Sequence, residues 1–227
     1  MKIKNLRKSF GTKTLYEDLN FEVNDGNIFA LIGPNGVGKT TLMKIILGWD
    51  KDFCGQVIVD EHKVFSYSPE TPEFPDFLTG REMMDFFIKI RKSSDDANVL
   101  LSKVGLNCND KTKIKDYSKG MKQRLAVAQA LIGSPNILLL DEPTAGLDYF
   151  GQMQMQELFK ELREEGRTII LNSHLLLDVE QICDNGVIIM GPKLYKNFSK
   201  EDFKNISLGD MFMQLARQKQ EMETKIC

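Results

Sequence analysis

The chain has 227 residues, 42% of them hydrophobic, enough to bury a core in one large domain or two smaller lobes. A formal net charge of -2 and a pI near 5.8 provide no basic field to hold a polyanion, which argues against nucleic acid as a stable partner. Cys54, Cys108, Cys183 and Cys227 form no CxxC pair and are accompanied by two histidines, so reduced thiols in a cytosolic protein are expected, with no structural zinc.

At the N-terminus, "MKIKNLRKSF" lacks the apolar core of a signal peptide. From there to "DLNFEVNDG" the apolar residues Leu19, Phe21 and Val23 alternate as in half-buried antiparallel strands, so a small β layer is expected first. Asn27 to Ile32 is then a short continuous apolar run, and Asn136 to Asp141, Arg167 to Asn172 and Gly186 to Met190 repeat it. Such runs between longer helical stretches mark strands buried on both faces. Between Phe77 and Gly133 the periodicity is helical: Thr79 and Glu82 have capping-box spacing ahead of "MMDFFIKI", and Gly105 stops a second helix begun near Asp95. This predicts a helical lobe inserted in an α/β core. The last stretch, "LGDMFMQLARQKQEMETKIC", has the pattern of an amphipathic helix whose end frays. No run approaches the roughly 18 apolar residues of a membrane span, so any membrane involved is expected to be crossed by another chain.

Gly33-Pro34-Asn35-Gly36-Val37-Gly38-Lys39-Thr40 matches GxxxxGK[ST] in full, after a strand and before a helix, the context the motif requires. Glycines let backbone N–H groups converge on a β-phosphate and the helix N-terminus adds partial positive charge. Lys39 bridges β- and γ-phosphates, and Thr40 offers a hydroxyl to Mg²⁺. Further on, "NILLLDE" places Asp141 and Glu142 at the C-terminal edge of a buried parallel strand, where α/β ligands bind. There Asp141 would hold Mg²⁺ through its waters and Glu142 would polarise an attacking water. Taken alone, the same residues also describe a strand that ends in two solvated acids. In "DYSKGMKQRLAVAQAL", Ser118 and Gly120 precede a helix expected from Met121 toward Ile132, whose N–H groups attract an anion. By itself a Ser-x-Gly turn is more often an ordinary helix cap.

Taken together, "YSKGMKQRLAVAQALIGSPNILLLDEPTAGLD" resembles the signature, Walker B and D-loop block of ATP-binding cassette (ABC) ATPases, and the resemblance extends over nearly the whole chain. It implies an α/β fold, a P-loop NTPase of ABC type, with a mostly parallel core sheet flanked by helices and an N-terminal antiparallel β layer. Residues 1–75 and 134–207 would form the core and β layer, 76–133 the inserted helical subdomain, and 208–227 a C-terminal helix or tail. The resemblance makes Gly33 to Thr41 the Walker A element, with Gly33, Asn35, Gly36, Gly38, Lys39, Thr40 and Thr41 on ATP. It makes Asp141 the Walker B aspartate, Glu142 the catalytic glutamate, Ser118 and Gly120 part of the signature, and Asp148 the end of the D-loop "AGLD". His174, in "LNSHLL", stands at the switch position that contacts the γ-phosphate, although a lone histidine at a strand end is usually structural. Phe10, in "RKSFG", stands where the family places an aromatic that stacks on adenine; on local grounds it is equally a half-buried strand aromatic.

In this family the signature of one monomer covers the γ-phosphate held by the Walker A of the other. The resemblance therefore implies ATP and Mg²⁺ as cofactors and an ATP-dependent homodimer, or a heterodimer with a paralogous ATPase. It also implies a separately encoded integral-membrane subunit, with this chain cytoplasmic at the inner face of the cell membrane. Three departures stand out. In "SYSPE", Glu70 replaces the family's usual glutamine; it can still ligate Mg²⁺ but brings extra charge and loses an amide donor. The signature reads "YSKGM", with Lys119 inside the phosphate-facing turn, and Val57 to Tyr67 is short for the usual β layer. "YSPE" and "YSKGMKQRL" are similar to ATP-binding subunits of prokaryotic type-2 exporters. The competing class is a soluble ABC ATPase acting in translation or on DNA, but Lys39 to Ser118 is too short for the coiled-coil insertion of the DNA-associated members.

Overall fold

The computed structural model describes residues 1–224; Cys227 and the end of the tail expected to fray lie outside the described residues. In chain order the first elements are β1 (Lys2–Phe10), β2 (Lys13–Glu22), β3 (Ile28–Ile32), α1 (Lys39–Ile46), β4 (Cys54–Ile58) and β5 (Phe65–Ser68). Then come α2 (Gly80–Ile90), α3 (Ala97–Lys103), α4 (Lys119–Leu131), β6 (Ile137–Asp141), α5 (Tyr149–Glu164) and β7 (Thr168–Asn172). The chain ends with α6 (Leu176–Ile182), β8 (Asn185–Ile189), β9 (Tyr195–Ser199) and α7 (Leu208–Thr224). The architecture is α/β, and the chain divides into two compact units: Met1–Lys63 with the chain from Asn172 onward, and Val64–Leu171.

In the first unit β1 lies between β2 and β4, antiparallel to both. Leu19, Phe21 and Val23 are buried as their alternation predicts, and the Phe21 ring stacks on Phe29 of β3 at 5.0 Å. Along β1 the alternation changes phase. Asn5 adopts φ 50, its N–H donates to Asn20 Oδ1 at 2.8 Å, and the pairing register shifts around it. The extra residue moves the inward side from Ile3 to Leu6 and Lys8. Strand β3 runs parallel to β8, and β9 pairs antiparallel with β8 from Asn185 to Ile189. In α7, Leu208, Met211 and Leu215 are buried at helical spacing, and the Leu208 N–H donates to Glu180 Oε2 at 2.8 Å.

In the second unit the strand order is β5-β6-β7, with β5 and β6 parallel from Phe65↔Ile137 to Ser68↔Leu140. Ile137 to Leu140 of β6 are buried, as their apolar run requires, and Asp141 at the strand end is buried with them. The capping box at the start of α2 is formed: Thr79 Oγ1 accepts from the Glu82 N–H at 3.2 Å and Glu82 Oε2 accepts from the Thr79 N–H at 2.8 Å. That backbone donor, with Lys113 beside it, holds the Glu82 carboxyl at about 2. The cap of α3 is Asp96, whose Oδ1 accepts from the Asn98 N–H at 2.7 Å. The helix begins near Asp95 as expected, and Asp95 itself accepts from the Gly133 N–H at 2.6 Å. Helix α4 starts at Lys119, two residues earlier than expected, because Ser118 takes the N-cap position and accepts from the Met121 N–H at 3.1 Å.

Candidate nucleotide site

In the first unit, the loop between β3 and α1 turns through Gly36 at φ 77 and Gly38 at φ 112, conformations that only glycine adopts without strain. Its backbone also runs close to its neighbours: a Cβ on Gly33 would strike the Ile189 carbonyl, and one on Gly38 would strike the Tyr16 hydroxyl. With Gly38 at its N-cap, α1 receives no side-chain cap. The positive end of the helix dipole therefore lies at this glycine turn, where negative charge is favoured. Lys39 is 7% exposed, and its ammonium donates to the Gly33 carbonyl at 2.6 Å and the Pro34 carbonyl at 3.2 Å. The ammonium is thus buried against carbonyls of the glycine loop itself. The Tyr16 hydroxyl beside Gly38 is buried without a hydrogen-bond partner, and burial pushes its pKa up, so it stays a donor. These features fit a nucleotide phosphate chain. Thr40 and Thr41 are half-buried in the first turn of α1, Asn35 and Gly36 are exposed in the loop, Phe10 ends β1 at 52% exposure, and His174 is exposed between β7 and α6.

The second unit carries Asp141, Glu142, Ser118 and Gly120. Asp141, 1% exposed, ends β6 and accepts from the Tyr67 hydroxyl at 3.3 Å. Burial first, then Asp141, then Glu70 raise the Tyr67 pKa, which places the exposed Glu70 carboxylate within electrostatic reach of the same phenol. Next in the chain Glu142, 7% exposed, sits at φ 50, a left-handed conformation that costs a non-glycine residue energy and clusters at working sites. The buried Gln123 of α4 donates to the Pro69 carbonyl at 3.3 Å, fastening the loop that carries Glu70 to the helix that Ser118 caps. Gly120 has room for no side chain, since a Cβ there would lie 2.8 Å from the Gly146 carbonyl. The start of α4 and the turn ending at Asp148 thus touch through backbone, while Ser118 and Asp148 themselves are exposed. Asp148 caps α5 by accepting from the Gly151 N–H at 2.7 Å. Among the described residues no group of three or more His, Cys, Asp or Glu is arranged around a metal position. In the second unit the Asp141 carboxylate is a hard oxygen donor of the kind Mg²⁺ takes when phosphates and waters supply the rest, and in the first the Thr40 hydroxyl is a donor of the same kind.

Comparison with known proteins decides the family. The family described as ABC transporter matches residues 16–145. The chain belongs to that family. The lantibiotic transport ATP-binding protein SrtF of Streptococcus pyogenes is 39% identical over 192 residues, 81% of this chain and 84% of that protein. The uncharacterized ABC transporter ATP-binding protein YhcH of Bacillus subtilis is 35% identical across 99% of this chain and 77% of its own length. A solved structure titled as the ATP binding subunit of an ABC transporter superposes with a TM-score of 0.83 at 26% identity, over 95% of this chain and 98% of that one. The chain is an ABC ATP-binding subunit and an ATPase. In this ABC subunit three residues around the motifs were not read from the sequence: Lys8 beneath Phe10, Tyr67 on Asp141 and Gln123 on the Glu70 loop. Gln123 had a signal, a polar residue one helical turn from Gly120 on the buried side of α4.

Proposed function

We propose that two copies of the chain close head to tail around two ATP molecules with Mg²⁺, and that this closure drives export through a separately encoded membrane subunit at the inner face of the cell membrane. The observation that carries the reading is the backbone contact of Gly120 with Gly146, which presents the exposed Ser118 and Asp148 together on one unit. In this family both segments work at the face between monomers. The exposed Tyr149 and Phe150 extend the same surface. The export direction is supported by the similarity to a protein named for lantibiotic transport and by "YSPE" and "YSKGMKQRL".

In this reading the Phe10 ring receives the base. The N–H groups at the start of α1 and the Lys39 ammonium, swung off the Gly33 carbonyl, hold the β- and γ-phosphates. Thr40, Asp141 and Glu70 hold Mg²⁺, which when bound neutralises charge on the phosphates. Glu142 orients the attacking water and accepts its proton. His174 contacts the γ-phosphate, and Ser118 and Gly120 of the second copy cover it. Since Glu70 serves the cation and the water, Glu70→Ala is expected to lower turnover about 10- to 100-fold while ATP affinity changes far less. Steady-state kinetics beside calorimetric binding checks this, and a variant with wild-type turnover removes Glu70 from the site.

The membrane subunit is expected on the segment before α2, where Phe77 is 73% exposed and Phe86 and Ile90 of α2 are 52% and 58% exposed. Phe77 therefore does not seat the helical segment on a core. The loop around it is held in shape, with the Leu78 carbonyl accepting from the Ile114 N–H at 2.8 Å and the Asp76 carbonyl from the Lys115 N–H at 3.2 Å. An exposed apolar patch on a braced loop suits a short helix of a partner. Phe77→Glu is expected to keep the melting temperature and ATP binding and to abolish co-purification with the membrane subunit from native membranes. Undiminished co-purification moves the docking face elsewhere.

A further inference from the structure

Lys8 is 2% exposed, although lysine is rarely buried unless paired. Its ammonium reaches Asp50 Oδ1 at 2.9 Å, the Asp52 carbonyl at 2.6 Å and Asp52 Oδ2 at 3.3 Å, and it stands over the Phe10 ring 4.5 Å from the centroid. The register shift at Asn5 causes this arrangement. It turns Lys8 inward, and because strand side chains alternate, Phe10 two residues on shares the face of Lys8. Lys8 holds the Asp50 carboxyl below the usual carboxylate range, so the pair stays charged. Asp50 lies just beyond α1, with the Trp49 and Asp50 N–H groups both donating to the Lys44 carbonyl at 2.9 and 3.2 Å. One face of the Phe10 ring is thus covered by a cation anchored to the far end of the helix whose first turn faces the phosphates.

We propose that Lys8 is a positioning residue for the nucleotide base: it fixes and polarises the Phe10 ring from one side so that the opposite face receives adenine. The inference rests on Phe10 as the base platform. A cation drawn to one face of a ring withdraws electron density from the other, which favours stacking of an electron-rich purine, and a ring already held in place loses less side-chain entropy on binding. Through Asp50 and α1 the platform is also held in register with the phosphate loop.

The test separates base from phosphate by calorimetric titration of the full chain with ATP and with inorganic tripolyphosphate, which lacks a base. Lys8→Met is expected to weaken ATP binding about three- to tenfold, to leave tripolyphosphate affinity unchanged, and to be rescued by Lys8→Arg, which keeps the cation. Phe10→Ala is expected to lose ATP affinity in the same selective way. Unchanged ATP affinity in Lys8→Met, or equal weakening of both ligands, overturns the role of Lys8. If Phe10→Ala also binds ATP as wild type does, the platform itself is wrong and the inference falls with it. Should Lys8→Met not fold, Asp50→Asn, which loosens the ammonium while Lys8 and Phe10 remain, must show the same ATP-selective loss, and its absence overturns the proposal.

Discussion

Glu142→Gln is expected to slow ATP hydrolysis by about 10²- to 10⁴-fold, the range a positioned general base contributes, while ATP still binds and the chain accumulates as a dimer. The substitution is isosteric. Glu142 is 7% exposed at the end of β6 with φ 50, so its backbone is already held in the left-handed region by its surroundings, and glutamine meets the same strain there. The amide cannot accept a proton from water, and it removes one negative charge that would otherwise oppose a bound γ-phosphate. Chemistry therefore stops while the closed state gains. Size-exclusion chromatography of the variant with ATP and Mg²⁺ should show a dimer that wild type, under turnover, does not accumulate. A variant that hydrolyses at the wild-type rate and stays monomeric at high concentration removes Glu142 from catalysis and the head-to-tail pair with it.

The glycine loop between β3 and α1 was legible because its backbone path leaves the residue types no freedom. Gly36 and Gly38 take positive φ and Gly33 lies against a carbonyl, so the motif states a backbone path as well as a composition. The buried strands were legible for a related reason: β6 and β7 are buried at every residue, and their polar residues, Asp141, Thr168 and Asn172, stand only at the strand ends. Strand β9 was not anticipated because it lies beyond β8 with Phe198 its one buried residue, and a strand so exposed need not carry an apolar run. Lys8 escaped because its burial depends on the phase change at Asn5, and strict alternation from Ile3 would have turned it outward. Helix α3 begins near Asp95 as read, but which acid caps it was not legible: Asp96 does, while Asp95 accepts from the Gly133 N–H, 38 residues away. Such long-range competition has no local signature. Ser118 shows that the two local readings of a Ser-x-Gly turn are compatible: it caps α4 and remains exposed.

Lys39→Ala is expected to weaken ATP binding by about 10- to 100-fold, since each hydrogen bond to a charged group contributes about 1.5–3 kcal/mol and a tenfold change in affinity corresponds to about 1.4 kcal/mol. The loop itself holds the lysine: its ammonium is 2.6 Å from the Gly33 carbonyl and 3.2 Å from the Pro34 carbonyl. Removing it therefore has two consequences, which separate experimentally. The loop loses two internal hydrogen bonds, which lowers the melting temperature slightly, and an incoming phosphate loses its cation, which lowers affinity strongly. Lys39→Met keeps the stem that packs in the buried position and should preserve more of the folded stability while losing the same affinity. Binding of a fluorescent ATP analogue, read beside thermal unfolding of both variants, distinguishes them. ATP affinity retained in Lys39→Met shows that the ammonium does not hold the phosphates, and the role assigned to it falls.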